Sequence, residues 1–162
     1  IFVPEMLISA RAMKAGLEVL RPILTASKEP PKGTIVMATV QGDLHDIGKN
    51  LVCMMLEGAG FKIVDLGVNT NPMLIIEEAD NVKADIIGLS ALLTTSMPFM
   101  MKTIEAFKRE GKDYPIIVGG APVTRDYANN IGATGYADNA VEAVTLCKKL
   151  VATAKIPETQ AV

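Results

Sequence analysis

The sequence is poor in the residues that build most metal centres, and it has little of what marks membrane or nucleic-acid proteins. Its 162 residues include no tryptophan, one histidine and two cysteines. One imidazole and two scattered thiols cannot supply a tetrahedral zinc site, and Cys53 and Cys147 lack the spacing of a redox pair. A net charge of -2 without a basic run, and apolar stretches no longer than a strand, exclude a nucleic-acid surface and a transmembrane helix. Isolated cysteines favour a reducing, cytoplasmic setting.

Aliphatic side chains are abundant, and from Thr34 onward they alternate between strand and helix patterns. Hydrophobic residues make up 49% of the chain and aromatic residues only 4%, which is typical of a parallel-sheet core. Strands are predicted at 35–40, 61–66, 85–90, 115–119 and 134–137. Helices are predicted between them, with an apolar stripe at Leu51, Val52, Met55, Leu56 and Ala59, a second helix over 72–82, a third stripe over 97–107, and others at 124–131 and 138–153.

This alternation predicts an α/β protein with a five-stranded parallel sheet. Right-handed crossovers then favour the flavodoxin-like (Rossmann-like) strand order 2-1-3-4-5. In such folds ligands bind beyond the carboxyl ends of the strands, at the switch point between the first and third strands. Loops that follow the first, third and fourth strands, at His45, Ser90 and Gly119, are therefore expected to converge at one edge.

The chain begins with a separate helical pattern over residues 2–21. Its apolar stripe comprises Val3, Met6, Ala10, Met13, Leu17 and Leu20, and Pro22 is expected to end it. Such a stripe needs partners, so we expect this helix to be what is left of a helical-bundle domain that lacks its earlier part. The predicted division is a remnant helix over 1–24, a linker over 25–33, the main domain over 34–155 and a tail over 156–162.

The single histidine is the most informative residue for function. His45 lies in the run from Gly42 to Asn50 that directly follows the first predicted strand. Asp43 is placed to fix the tautomer of a metal-bound imidazole, although an Asx turn would also explain it. Gly48 permits close approach at the start of a helix or serves as a turn glycine. His45 itself is interpreted as a metal ligand rather than a satisfied loop residue, because all three lie at the switch point. No phosphate-binding glycine motif follows the strand.

The run Gly42-Asp43-Leu44-His45-Asp46-Ile47-Gly48 resembles the cobalamin-binding signature D-x-H-x-x-G. Ser90-Ala91-Leu92 and Gly119-Gly120 match the later S-x-L and G-G elements, so the resemblance covers residues 34–153. The segment from Phe2 to Lys14 is similar to the last helix of the cap domain in the methyl-transfer class. That class includes cobalamin-dependent methionine synthase and the small corrinoid proteins of methyltransferase systems.

The resemblance implies a cobalamin bound base-off, its dimethylbenzimidazole tail swung away from cobalt and His45 as the lower axial ligand. His45, Asp43 and Ser96 would form a proton relay. Ser96 could also cap the helix that begins near Met97, and the two roles could coexist. The implied cofactor contacts are Gly42, Asp43, Leu44, His45, Asp46, Ile47, Gly48, Ser90, Leu92, Thr94, Gly119, Gly120 and Ala140.

The implied function is that of a corrinoid carrier. Its cobalt would cycle between Co(I) and methyl-Co(III), taking a methyl group from a donor-specific methyltransferase and passing it to an acceptor methyltransferase of a folate type, with a reductive activase as a further partner. The donor is left open among methanol, methylamines, betaines and aryl methyl ethers. The alternatives are the cobalamin domain of a methionine synthase, a carbon-skeleton mutase, a cobalamin-sensing domain, or a signalling domain of the same fold without cofactor.

Overall fold

The strands and helices of the main domain alternate along the chain, as the sequence predicts. The computed structural model describes residues 3–24 and 29–155. The strands are β1 Thr34–Thr39, β2 Lys62–Asp65, β3 Ile86–Ser90, β4 Ile116–Gly119 and β5 Gly135–Tyr136. The helices are α1 Val3–Leu24, α2 Ile47–Gly58, α3 Pro72–Val82, α4 Pro98–Arg109, α5 Arg125–Asn130 and α6 Ala140–Ala154. None of the described helices is long and apolar enough to cross a membrane.

The five strands form one parallel sheet in the order β2-β1-β3-β4-β5. This confirms the predicted flavodoxin-like topology. The order reverses between β1 and β3, whose carboxyl ends are Thr39 and Ser90, paired in register. The switch point therefore lies where the His45 loop leaves the sheet.

The sheet is covered by helices on both faces, which explains why β1 is apolar at every position from Ile35 to Ala38. Ile35 and Met37 point to the face covered by α2 and α6 and pack with Cys53 and Cys147. The alternate residues of β1 point to the other face, where α3, α4 and α5 complete a second core. Both cysteines are free and buried.

The N-terminal helix differs from the prediction at its end. Pro22 was expected to end the helix, but α1 continues through it to Leu24. Within the last turn a proline removes a single backbone hydrogen bond, so the helix can continue briefly past it. Of the predicted stripe, Met13 and Leu20 are about half exposed, Leu17 is partly buried, and the other three side chains lie outside the described residues. The helix packs on α2.

The apolar stripe predicted for α2 was partly wrong. Cys53 and Met54 are buried in this helix along with Leu56, whereas Leu51 and Val52 line a cavity. The helix lies between the sheet, α1 and α6, so it buries more than one stripe.

Residues 25–28 of the predicted linker and the predicted tail at 156–162 lie outside the described part of the chain.

Candidate functional site

The His45 loop is held to the end of β1 by hydrogen bonds from two neighbouring segments. Gly42 turns the chain with a φ of 83°, a conformation that favours glycine. Its N–H donates to Asn69 Oδ1 at 2.8 Å, and the Asn69 N–H donates to the Asp43 carbonyl at 2.8 Å. Thr39, fully buried, donates its hydroxyl to the His45 carbonyl at 2.9 Å. The backbone around His45 is thus fixed before any ligand binds.

Asp43 is a fully buried carboxylate whose two oxygens accept several hydrogen bonds. Oδ2 accepts from the Leu92 N–H at 2.8 Å and the Leu93 N–H at 3.3 Å, both in the loop after β3. Oδ1 accepts from the His45 N–H at 3.0 Å. Burial by itself raises the pKa of this carboxyl, but hydrogen bonds from the Ser96 hydroxyl, backbone N–H groups and the His45 ring outweigh it and hold the pKa well below its usual range. Asp43 is therefore ionised.

The ionised state of Asp43 determines the tautomer of His45. The His45 Nδ1 lies 2.7 Å from Asp43 Oδ1, and a carboxylate can only accept, so Nδ1 carries the proton. In the neutral ring the Nε2 lone pair then remains available to a ligand. The His45 side chain is 47% exposed, whereas that of Asp43 is inaccessible. This is the arrangement of an imidazole oriented by a carboxylate behind it.

Ser96 completes the cluster from the loop before α4. Its hydroxyl lies 2.5 Å from Asp43 Oδ2 and 2.8 Å from the Leu93 carbonyl, and its single proton is donated to one of these acceptors at a time. The alternative role as a helix cap is wrong: α4 begins at Pro98, its N-cap is Met97, and no side chain caps it. The Ser96 hydroxyl is oriented toward Asp43 instead.

Beside this cluster a cavity of about 370 Å³ opens between the sheet and helices α2 and α6. We call it the slot. It is lined by Met37, Gly48, Lys49, Leu51, Val52, Gly88, Leu89, Ser90, Ile117, Val118, Gly119, Gly120, Ala121, Ala137, Asp138, Asn139, Ala140 and Ala143. Most of these are aliphatic or glycine, and the volume is within the range of small-molecule sites.

The glycines that line the slot differ in whether the fold leaves room for a side chain. A Cβ on Gly120, whose φ is 134°, would collide with the Ala91 carbonyl, and one on Gly119 would lie 3.0 Å from the Ala137 carbonyl. The fold itself therefore requires glycine at position 120, whereas a side chain at position 119 would press against the Ala137 carbonyl. A Cβ on Gly48 would meet nothing within 4 Å, and its φ is not in the left-handed region. Gly48 is not a turn glycine, and a side chain there would only occupy free space beside the slot.

The predicted site residues fall into two groups around the switch point. Gly48, Ser90, Gly119, Gly120 and Ala140 line the slot. Gly42, Asp43, Leu44, His45, Asp46, Leu92, Thr94 and Ser96 lie in the loops after β1 and β3, and Ile47 is the first residue of α2; none of them lines the slot. Leu44 is 71% exposed.

Several lining residues were missed from the sequence, among them Met37, Lys49, Val52 and Gly88. The signal for Gly88 was present, since a glycine in the middle of a strand marks a close approach. The other three look like ordinary strand and helix residues in the sequence.

No cluster in the described ranges resembles a metal site built from the chain alone. Among residues 3–24 and 29–155, no three His, Cys, Asp or Glu side chains could hold a metal ion together. A metal bound at His45 would therefore take its other ligands from outside these side chains.

Comparisons with known proteins agree with this geometry. The family model for the B12 binding domain matches residues 33–145. Over 155 residues the chain is 44% identical to dimethylamine corrinoid protein 1 of Methanosarcina acetivorans, covering 94% of this chain and 73% of the relative.

Two solved structures are also similar. The monomethylamine corrinoid protein of Methanosarcina barkeri has a TM-score of 0.83 and 37% identity, covering 93% of this chain and 72% of that one. A chain of the methanol:cobalamin methyltransferase complex MtaBC of the same organism has a TM-score of 0.73 and 30% identity, covering 94% and 58%. The chain therefore belongs to the corrinoid proteins built on a B12-binding domain.

Proposed function

We propose that this chain binds a corrinoid base-off, with its nucleotide tail in the slot and His45 Nε2 as the lower axial ligand of cobalt, and carries a methyl group between two methyltransferases. The observation that carries the proposal is the buried Asp43 carboxylate. It orients His45 on one oxygen and is held by Ser96 on the other, directly beside an apolar slot.

The residues present fit such a cofactor. A corrinoid would bring the other ligands of its cobalt with it, so one histidine would be sufficient as the protein ligand. Exposed apolar side chains surround His45 and offer a platform to a flat macrocycle: Leu44, Ile47, Leu92 and Leu93. The slot offers a second, deeper surface of the right character for an aromatic base, and Gly48 leaves room at its mouth.

The side chains would control the lower ligand of the metal. When bound, the cobalt supplies a nucleophile that accepts and releases a methyl group. His45 would hold the metal through Nε2 while Asp43 orients its ring through Nδ1. The Ser96 hydroxyl would keep the Asp43 carboxylate in place behind the ring.

The relatives support methyltransferases as partners. The similar proteins are named for dimethylamine and monomethylamine, and one was solved within a methanol:cobalamin methyltransferase complex. A small methylated amine or methanol is thus the favoured donor class for this chain. An acceptor methyltransferase of a folate type and a reductive activase complete the proposed cycle.

Replacing His45 with Gln tests the ligand assignment. The wild-type protein loaded with cobalamin and poised as Co(II) should show nitrogen coupling from the imidazole in its electron paramagnetic resonance spectrum. The His45→Gln protein should lose this coupling, because no other histidine exists in the chain. In parallel samples reduced to Co(I), transfer of an isotopically labelled methyl group from each candidate donor, with its methyltransferase, should be measurable with the wild type.

Ser96→Ala is the control, because it removes a contact of Asp43 but leaves the imidazole in place, and it should retain the nitrogen coupling. Coupling that persists in His45→Gln would reject the ligand assignment. Coupling in the wild type without methyl transfer from any donor would reject the carrier role while leaving the ligand assignment intact.

A further inference from the structure

The wall of the slot formed by the sheet has a defined depth. Strands β1, β3 and β4 are in register, so residues on the α2 and α6 side form rows across them. The row at the carboxyl edge is Thr39, Ser90 and Gly119, and the next row inward is Met37, Gly88 and Ile117. The two rows are separated by two residues along each strand, which is about 6–7 Å.

The slot ends at this inner row. Met37, Gly88 and Ile117 all line it. Ile35 and Ile86, one row deeper, do not, because they are packed in the core with α2 and α6. None of the inner-row side chains can donate or accept a strong hydrogen bond. Whatever reaches this depth must therefore present an apolar edge.

Gly88 makes a notch in that inner row. It lies in the central strand between Met37 on β1 and Ile117 on β4. The notch is not empty: a Cβ on Gly88 would collide with Met37 Sδ, whereas Ile117 Cγ1 would lie 3.8 Å away. The Met37 side chain therefore extends across Gly88 and closes the end of the slot.

Met37 is suited to be an adjustable wall. It is 4% exposed, so its position is set by packing rather than by solvent. Methionine is unbranched and has three rotatable bonds, so it can fill or vacate a gap at low cost, whereas the β-branched Ile117 is stiff. Of the two side chains beside the notch, only Met37 can change the length of the slot without moving a strand.

We propose that Met37, lying over Gly88, is a specificity-determining residue that sets which corrinoid tail bases this protein accepts. This rests on the proposed function, in which the tail enters the slot. The base is the free end of the tail, so it is the part that reaches the inner row. The accepted class is a flat aromatic base with an apolar outer edge, and Met37 limits its length.

The test compares two cobamides that differ only in the length of an apolar base: 5,6-dimethylbenzimidazole and the longer naphthimidazole. Affinities are measured by absorbance titration, and the readout is their ratio for each variant. Met37→Ala should shift this ratio toward the longer base by about tenfold or more, as expected when a pocket gains or loses apolar atoms. Gly88→Ala should shift it the other way, because the new methyl group pushes Met37 toward the mouth. Met37→Leu, which keeps most of the volume, should stay near the wild type.

Met100→Ala is the matched control. Met100 is also a buried methionine, but it packs in the core on the opposite face of the sheet. The Met100→Ala protein should lose about as much stability as Met37→Ala, but its ratio of affinities for the two cobamides should equal that of the wild type. Cobinamide, which has no nucleotide tail, should bind the wild type and Met37→Ala equally.

The outcomes separate this inference from the proposed function. If both cobamides bind and Met37→Ala leaves the ratio within twofold of the wild type, the base does not reach Met37 and the inference is overturned, while corrinoid binding stands. An equal shift in Met100→Ala would also overturn it, since the effect would then come from general loosening. If neither cobamide binds the wild type, the proposed function fails and the inference fails with it.

Discussion

At the scale of single residues, Gly48 is a glycine whose place in a helix lowers the stability of the fold without a structural reason. It is the second residue of α2, where glycine is less stable than alanine by up to about 1 kcal/mol. Neither backbone conformation nor crowding explains it, because its φ is not left-handed and a Cβ would meet open space. Gly120, in contrast, is required by the Ala91 carbonyl whether or not a ligand binds.

Gly48→Ala should therefore separate stability from binding. We expect the free energy of unfolding of the corrinoid-free protein to rise by up to about 1 kcal/mol, from helix propensity alone. Corrinoid affinity should fall roughly tenfold or more, because the methyl group enters space beside the slot. Urea unfolding and absorbance titration give the two quantities.

Gly16→Ala is the matched control for this change. Gly16 is an exposed helical glycine of α1 with nothing within 4 Å of its would-be Cβ. It should stabilise the protein similarly and leave corrinoid affinity unchanged. If Gly48→Ala also leaves the affinity unchanged, Gly48 is not at a cofactor surface.

At the scale of elements, α2 is tied to β2 by an ion pair with an asymmetric environment. Lys49 is 2% exposed, and its Nζ lies 2.6 and 2.7 Å from the two carboxylate oxygens of Asp65 and 3.0 Å from Asn50 Oδ1. The Asp65 side chain is 36% exposed. Removing Asp65 leaves the buried Lys49 ammonium without its carboxylate, whereas removing Lys49 leaves the Asp65 carboxylate, which water can reach.

This asymmetry predicts unequal effects of two substitutions. Asp65→Ala should lower the free energy of unfolding by about 3 kcal/mol, because the Lys49 charge stays buried with only the Asn50 oxygen as partner. Lys49→Met keeps the apolar stem, and hydration of Asp65 limits its cost to about 1 kcal/mol. Urea denaturation measures both. Equal losses, or a larger loss in Lys49→Met, would contradict the burial argument.

A strand or helix can be predicted from the sequence when the residues that determine it are close together in the chain. The strands were predicted because buried parallel strands are nearly continuous apolar runs, and α3 because Pro72 suits the first turn of a helix. The structure adds the Asn71 side chain as the cap of α3. The prediction that Pro22 ends α1 was wrong because the effect of a proline depends on how many backbone hydrogen bonds of the helix follow it. The α2 stripe was partly wrong because a helix covered by several neighbours does not bury a single stripe.

In the candidate site, too, contacts between residues close in sequence could be predicted and contacts between separate strands could not. Asp43 and His45 are two positions apart, so their contact was predictable from local sequence. The Met37–Gly88 notch joins residues from separate strands, and it exists only because the register pairs them directly. A sequence pattern gives the strands but does not give this register, so the inner end of the slot could not be predicted.

At the scale of the whole molecule, the sheet separates two cores that differ in chemistry. The core under α3, α4 and α5 is aliphatic and aromatic. The core under α2 and α6, next to the slot, also holds both cysteines, Cys53 at 2% and Cys147 at 0% exposure. Burial raises the pKa of each thiol to about 12, and the nearby Asp65 carboxylate adds to the shift at Cys53.

These raised pKa values make global stability depend on pH in the alkaline range. Below the unfolded thiol pKa of about 8.5 both states keep their protons, so the full stability is present. Above it the unfolded chain loses protons that the folded protein retains, so stability falls by up to about 1.4 kcal/mol per pH unit for each thiol until the folded pKa of about 12. Urea unfolding of the wild type and of the Cys53→Ala/Cys147→Ala variant at pH 8, 9 and 10 isolates this contribution from lysine and tyrosine titration. The double variant is less stable at pH 8 because of the cavities, but its decline with pH should be the shallower of the two. Parallel declines would mean that the thiols are not held in a dry core, and that water reaches the layer behind the slot.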